Sequence, residues 1–126
     1  MENVTCEIRA LAKHLTVDEA DITPQTRKHF GLNTYTCDSE YRNIRGVYAI
    51  AEECDRRRVA SEAVIDFINR EILLDSAYRE FFDYDACTSA AFEDNEVGAY
   101  IAFYDAVEGK ITLHDNTYYI YRVKLT

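Results

Sequence analysis

Asp83-Tyr84-Asp85 places two carboxylates one residue apart, the opening of a calcium loop of the EF-hand type. Such a loop needs Gly at its sixth position for the turn and a long bidentate Glu at its twelfth. Here those positions hold Thr88 and Asp94, so the pattern excludes that loop. The four cysteines, Cys6, Cys37, Cys54 and Cys87, contain no CxxC pair. Zinc modules are built from close ligand pairs, so the thiols read instead as buried and reduced. His14, His29 and His114 belong to no GxSxG-type elbow, and no glycine-rich phosphate loop is present. The expectation is a protein with no metal, no cofactor and no catalytic set.

What remains is charge. The net charge is −9, and it is unevenly spread. Residues 71–115 hold eleven acids against Arg79 and Lys110, whereas residues 1–70 hold twelve acids and ten bases. Phosphate affinity comes from Lys and Arg, so direct nucleic-acid binding by this surface is not expected. Anionic lipid would repel it as well. A basic protein partner is the class that fits. Within FFDYDACTSAAFEDNE (81–96) the acids alternate with aromatic rings, which provide rigid contact area at low entropic cost. The candidate partner-binding residues are Asp75, Glu80, Asp83, Tyr84, Asp85, Phe92, Glu93, Asp94 and Glu96. Carboxylates on a helix or loop there match the phosphate track of a nucleic acid at coarse scale, since duplex charges recur about every 3.4 Å along each strand.

The elements that must carry these groups follow from periodicity. Val4, Ile8, Leu11, Ala12 and Leu15 lie at helical spacing. Thr16 and Glu19 have capping-box form and predict a further helical turn. Thr23-Pro24 predicts a second short helix, ended by Gly31. TYTC (34–37) and VYAIA (47–51) read as a hairpin. Over 52–72 an apolar stripe of Ala60, Ala63, Val64, Phe67, Ile68 and Ile72 predicts the clearest helix, with Arg58–Glu62 and Asp66–Arg70 as i,i+4 pairs. Arg56-Arg57-Arg58 reads as a solvated face of that helix. KITLHDNTYYIYRVKL reads as two strands about an Asp115-Asn116 turn, with AVEG (106–109) leading in from YIAFY (100–104) as a short meander if 97–104 is a strand; the end of a helix is the other reading of 97–104. Tyr119, Tyr121 and Val123 share one face of the last strand; Tyr118, Ile120 and Arg122 share the other. The fold class expected is α+β, helices packed on a small antiparallel sheet in one compact domain of 126 residues. The stretch MENVTCEIRALAKHL has no signal-peptide core, and AYIAFY (99–104) is the longest apolar run, so a cytoplasmic protein is expected.

In size, acidity and its ten tyrosines the chain resembles the small inhibitors that phages and mobile elements direct against bacterial defences, the anti-CRISPR and anti-restriction proteins. GVYAIAEECDRRRVASEAVIDFI (46–68) and DNTYYIYRVKL (115–125) also resemble segments of uncharacterised proteins from phages and mobile elements of gut bacteria. These inhibitors share no common motif, so no functional residue carries over. The resemblance implies a class of activity: occupying the basic nucleic-acid groove of a Cas effector or restriction enzyme. Two alternatives stand beside it. One is an accessory interaction protein that uses the C-terminal tyrosine-rich hairpin; the other is a small enzyme or metal-binding protein.

Overall fold

A computed structural model describes residues 2–73, 82–102 and 107–123. In chain order the elements are α1 (Glu2–Leu15), β1 (Ile22–Pro24), β2 (Asn33–Cys37), β3 (Gly46–Glu52), α2 (Glu53–Phe67), α3 (Tyr84–Glu93), α4 (Val97–Ile101), β4 (Glu108–Leu113) and β5 (Asn116–Val123). All strand pairings are antiparallel and the sheet order is β1-β2-β3-β5-β4. The architecture is α+β, as the sequence predicts. No helix among the described residues is long and apolar enough to cross a membrane.

Strand β5 explains the layering. Its run of aromatic and β-branched residues has no polar face, which suits a central strand covered on both sides. Tyr119, Tyr121 and Val123 join Ala49 and Ala51 of β3 in a core closed by α2, α3 and α4. Tyr118 and Ile120 join Tyr35, Tyr48 and Ile50 in a second core closed by α1 through Ala10, Leu11 and Ala12. The sheet is therefore the middle of three layers. Ala60, Ala63, Val64 and Ile68 of the α2 stripe are buried, with Phe67 half-buried edge-on to Tyr100. The predicted ion pairs form, Arg58–Glu62 at 3.1 Å and Asp66–Arg70 at 3.3 Å. After Phe67 the helix continues as a π turn over Ile68–Leu73.

Several local expectations are corrected. Thr16 ends α1 rather than capping the next turn: it takes φ 60°, and the Val17 N–H reaches back to the Ala12 carbonyl at 3.0 Å; the further helical turn does form, as a 3-10 turn over Glu19–Asp21 with Asp18 at its N-cap position. Thr23-Pro24 belongs to a strand, because β1 is an edge strand where a missing N–H is tolerated. Gly31 does adopt a left-handed conformation, φ 78°, but beside Phe30 at φ 49° in a two-residue turn closed by His29 and Leu32. The second predicted helix is thus absent. The C-terminal turn is centred on His114 and Asp115, both at positive φ, one residue earlier than predicted; Asn116 pairs with Leu113. Of the two readings of 97–104 the helical one holds, over Val97–Ile101, and Glu108–Gly109 begin β4, so the meander is not built; residues 103–106 lie outside the described ones. Of the thiols only Cys37 is buried; Cys54 is exposed.

Candidate functional site

Helix α3 carries most of the predicted surface. Asp83 is its N-cap, and its carboxylate accepts the Ala86 N–H at 2.9 Å. Asp85 follows in the first turn, 3.7 Å from Arg57. Glu93, Asp94 and Glu96 lie at the other end, around a turn in which Asn95 takes φ 57°. At 1.5 Å per residue, ten residues of helix separate the two acidic ends by about 15 Å. Glu93, Asp94 and Glu96 are exposed and form no ion pair among the described residues. Asp75 and Glu80 lie outside the described residues.

The rings between the acids are bound into the fold. Tyr84 is half-buried, tilts against Phe82 at 5.3 Å, and donates its hydroxyl to Asn69 Oδ1 at 2.6 Å. Phe92 is half-buried beneath two guanidinium groups, Arg56 at 4.6 Å and Arg57 at 5.3 Å. The tyrosines of the C-terminal hairpin are core residues, with Tyr118 2%, Tyr119 6% and Tyr121 0% exposed. The accessory reading therefore loses the ring surface on which it rested.

The arginine triplet is not a uniformly solvated face. Arg56 turns inward and lies between Phe92 and Tyr119, whose ring centre is 4.4 Å away. Its Nε and Nη2 donate to the two carboxylate oxygens of Glu108 at 2.8 and 2.6 Å. Tyr121 donates to the same carboxylate at 2.6 Å, and burial together with that contact pushes its hydroxyl pKa upward. The planar fork of Arg suits this bidentate, stacked position, where Lys does not. Arg57 reaches Ser89 at 3.0 Å, joining α2 to α3, and Arg58 serves Glu62. Three adjacent arginines thus take three separate tasks.

Two further groupings were not legible as motifs. A groove of about 930 Å³ runs between the end of α1 and the β2–β3 connection. Asp18, Glu19, Asp21, Asp38 and Glu40 line it against Arg9 and Lys13, with Tyr41, 62% exposed, at its edge. The small net charge of residues 1–70, twelve acids against ten bases, concealed this grouping. The second grouping surrounds Glu7, which is 6% exposed. Tyr35 donates to its Oε1 at 2.5 Å and Asn33 Nδ2 to the same oxygen at 3.0 Å; Lys28 in turn donates to Asn33 Oδ1. Burial raises the Glu7 pKa, and the two hydrogen bonds oppose that rise. The only sequence signal was an acid on an otherwise apolar helix face.

The three histidines do not converge. The His29 ring nitrogen bonds the Ile101 carbonyl at 2.7 Å, His114 is a turn residue, and His14 packs over Gly109. A Cβ at Gly109 would meet His14 Nε2 at 2.7 Å, so the glycine permits that approach. No protein-family model, no curated protein and no solved structure matches this chain.

Proposed function

We propose that the chain is a non-enzymatic binding protein. It inhibits a bacterial defence nuclease by presenting the acids of α3 and the α3–α4 turn to a Lys/Arg-rich nucleic-acid groove. The observation that carries this reading is the placement of Glu93, Asp94 and Glu96. They crowd the C-terminal end of α3, where the helix dipole already concentrates negative charge, and no described cation neutralises them. Carboxylates there cost the fold something and return nothing to it. A basic partner supplies the missing compensation. At the opposite end, Asp85 is held only by a surface pair to Arg57, both side chains being more than half exposed, so it is free to exchange partners. The separation of the two ends, about 15 Å, spans roughly four phosphate steps of a strand. The resemblance to phage inhibitors in size and acidity narrows the partner class to a Cas effector or restriction enzyme.

The test uses the nuclease recovered with the parent protein from a bacterial lysate. Binding should weaken with added salt, because screening shortens below about 10 Å above 0.1 M. DNA or guide RNA should compete with the protein for that nuclease. Lys at positions 85, 93, 94 and 96 should abolish binding while the fold survives. Charge reversal of Asp18, Glu19 and Glu40 in the α1-side groove should leave binding unchanged. Undiminished binding by the α3 variant, or a partner for which nucleic acid does not compete, sinks the proposal.

A further inference from the structure

The sheet has two edges, and they are finished differently. At one edge β1 is three residues long and ends on Pro24, which has no N–H to offer a further strand. Short length and proline are ordinary devices for blunting an edge. At the other edge β4 runs for six residues without a proline. It pairs with β5 in one unbroken register, from Glu108↔Tyr121 to Leu113↔Asn116. A regular antiparallel strand turns the backbone groups of alternate residues to each side, so part of the β4 backbone faces away from β5. No described strand pairs with that side. The two charges of β4 are both drawn inward. Glu108 is held by Arg56 and Tyr121, and the Lys110 ammonium lies over the Tyr119 ring, 5.9 Å from its centre. Ile111 and Leu113 pack on the α1-side core and are only half-buried. The edge is thus open in its hydrogen bonds and incompletely covered in its apolar side chains.

We propose that a second copy of this chain covers the β4 edge, antiparallel, joining two five-stranded sheets into one across a two-fold axis. The register follows from the residues. Opposite residues in an antiparallel pair keep their side chains on one face, and a two-fold axis normal to the sheet leaves each face on its own side. One residue of β4 must therefore lie opposite its own copy. Only Lys110 or Ile111 in that position pairs five residues of β4. The first sets Lys110 against Lys110 of the second copy, a like-charge contact that disfavours pairing. The second sets Ile111 against Ile111, Lys110 against Thr112 and Gly109 against Leu113, with no like charges opposed. It also brings the two Ile111 side chains together on the α1 side, where each lacks full cover. The edge is complementary to itself in this register. Contact along five residues is smaller than the roughly 1,200–2,000 Å² of a stable complex, so the dimer is weak and reversible. It is built from backbone groups and Ile111, and the acids of α3 supply none of it, so it is independent of the inhibitory reading.

Sedimentation equilibrium of the full-length protein tests this, up to about 1 mM and in about 0.15 M salt to screen the net charge of each copy. It should show a monomer–dimer equilibrium. The diagnostic position is Thr112, which is exposed, touches only Thr117 with its hydroxyl, and faces Lys110 of the second copy in this register. Thr112→Lys should weaken the dimer about tenfold, because two repulsive pairs form about the axis, and Thr112→Glu should tighten it about threefold. Net charge alone predicts the reverse order, since Lys lowers and Glu raises the negative charge of the chain. Adding Lys110→Glu to Thr112→Lys should restore association. A monomer at every concentration overturns the proposal and leaves the edge to a strand from another protein. So does a dimer in which the two Thr112 variants follow net charge or change nothing. A dimer weakened by the neutral triple Glu93→Gln, Asp94→Asn and Glu96→Gln would place the contact at α3 and overturn it as well.

Discussion

Among the described residues, Glu108 and Glu7 are both drawn into the packing, one on each side of the sheet, and they are treated differently. Glu108, on the α2 side, meets a cation of the chain itself: Arg56 binds both its oxygens, and Tyr121 adds a third hydrogen bond. Glu7, on the α1 side, is held by neutral donors through one oxygen. Burying a charge is tolerable when an opposite charge and hydrogen bonds come with it. Glu108 satisfies that condition within the fold and so reads as architecture, binding β4 and β5 to α2 and α3. Glu7 satisfies half of it, and burial pushes its carboxyl toward the neutral form. A buried acid therefore signals function only after its partners have been counted.

The largest effect expected from breaking this contrast is at Arg56. Arg56→Ala leaves Glu108 uncompensated and uncovers Phe92 and Tyr119, and should cost about 3 kcal/mol. That is the low end for a broken buried pair, because about a fifth of each side chain remains exposed. Urea denaturation measures it, and a loss below about 0.5 kcal/mol, the size of an ordinary surface substitution, would show the pair to be decoration. Replacing the pair by Arg56→Met with Glu108→Gln should recover part of the loss, since no lone charge is left behind.

Glu7→Gln sharpens the other half. The folded-state pKa of Glu7 lies above its ordinary value of 4.5, so the fold favours the neutral acid. Its stabilising contribution is complete below that ordinary value and is lost as pH rises through the folded value. Glu7→Gln should thus be more stable than the parent at neutral pH, and the two should converge at pH 4 and below. A difference that is the same at both pH values would mean that Glu7 stays ionised and has a partner already.

Smaller effects separate the two ends of α3. Asp83→Ala removes the N-cap and should cost about 1 kcal/mol in the same denaturation experiment. The neutral triple Glu93→Gln, Asp94→Asn and Glu96→Gln should instead gain a few tenths of a kcal/mol, because negative charge leaves the wrong end of the helix dipole. A loss of 1 kcal/mol or more from the triple would mean that these acids are structural. The basis for assigning them to a partner would then disappear.

Much of the fold was legible from local pattern. The alternation of TYTC and VYAIA, the α2 stripe and the two-faced aromatic run of β5 all predicted elements that form, since periodicity states which way each side chain must face. Turn and cap signals were less dependable. Thr23-Pro24 and Thr16 carry helix-start chemistry, yet pairing of Ile22–Pro24 with Tyr35–Cys37 and a left-handed close to α1 prevailed. The candidate site divided in the same way. Helix α3, its caps and the turn into α4 carry Asp83, Asp85, Glu93, Asp94 and Glu96, whereas Tyr84 and Phe92 were assigned to the surface and are committed to Asn69 and Arg56.

The sequence by itself determined the α+β class, both hairpins, the long central helix and the acidic imbalance, because each is written in residues close along the chain. Only the tertiary structure decided where charge is spent. Whether an arginine faces water or a glutamate depends on a partner 52 positions away, as for Arg56 and Glu108. It decided too that β5 inserts between β3 and β4, pairing Val47 with Val123, and that Glu7 of the first helix shares a cleft with Glu52 and Asp55. Those meetings follow from sheet order and layer packing, and no local pattern encodes the partner of a buried charge.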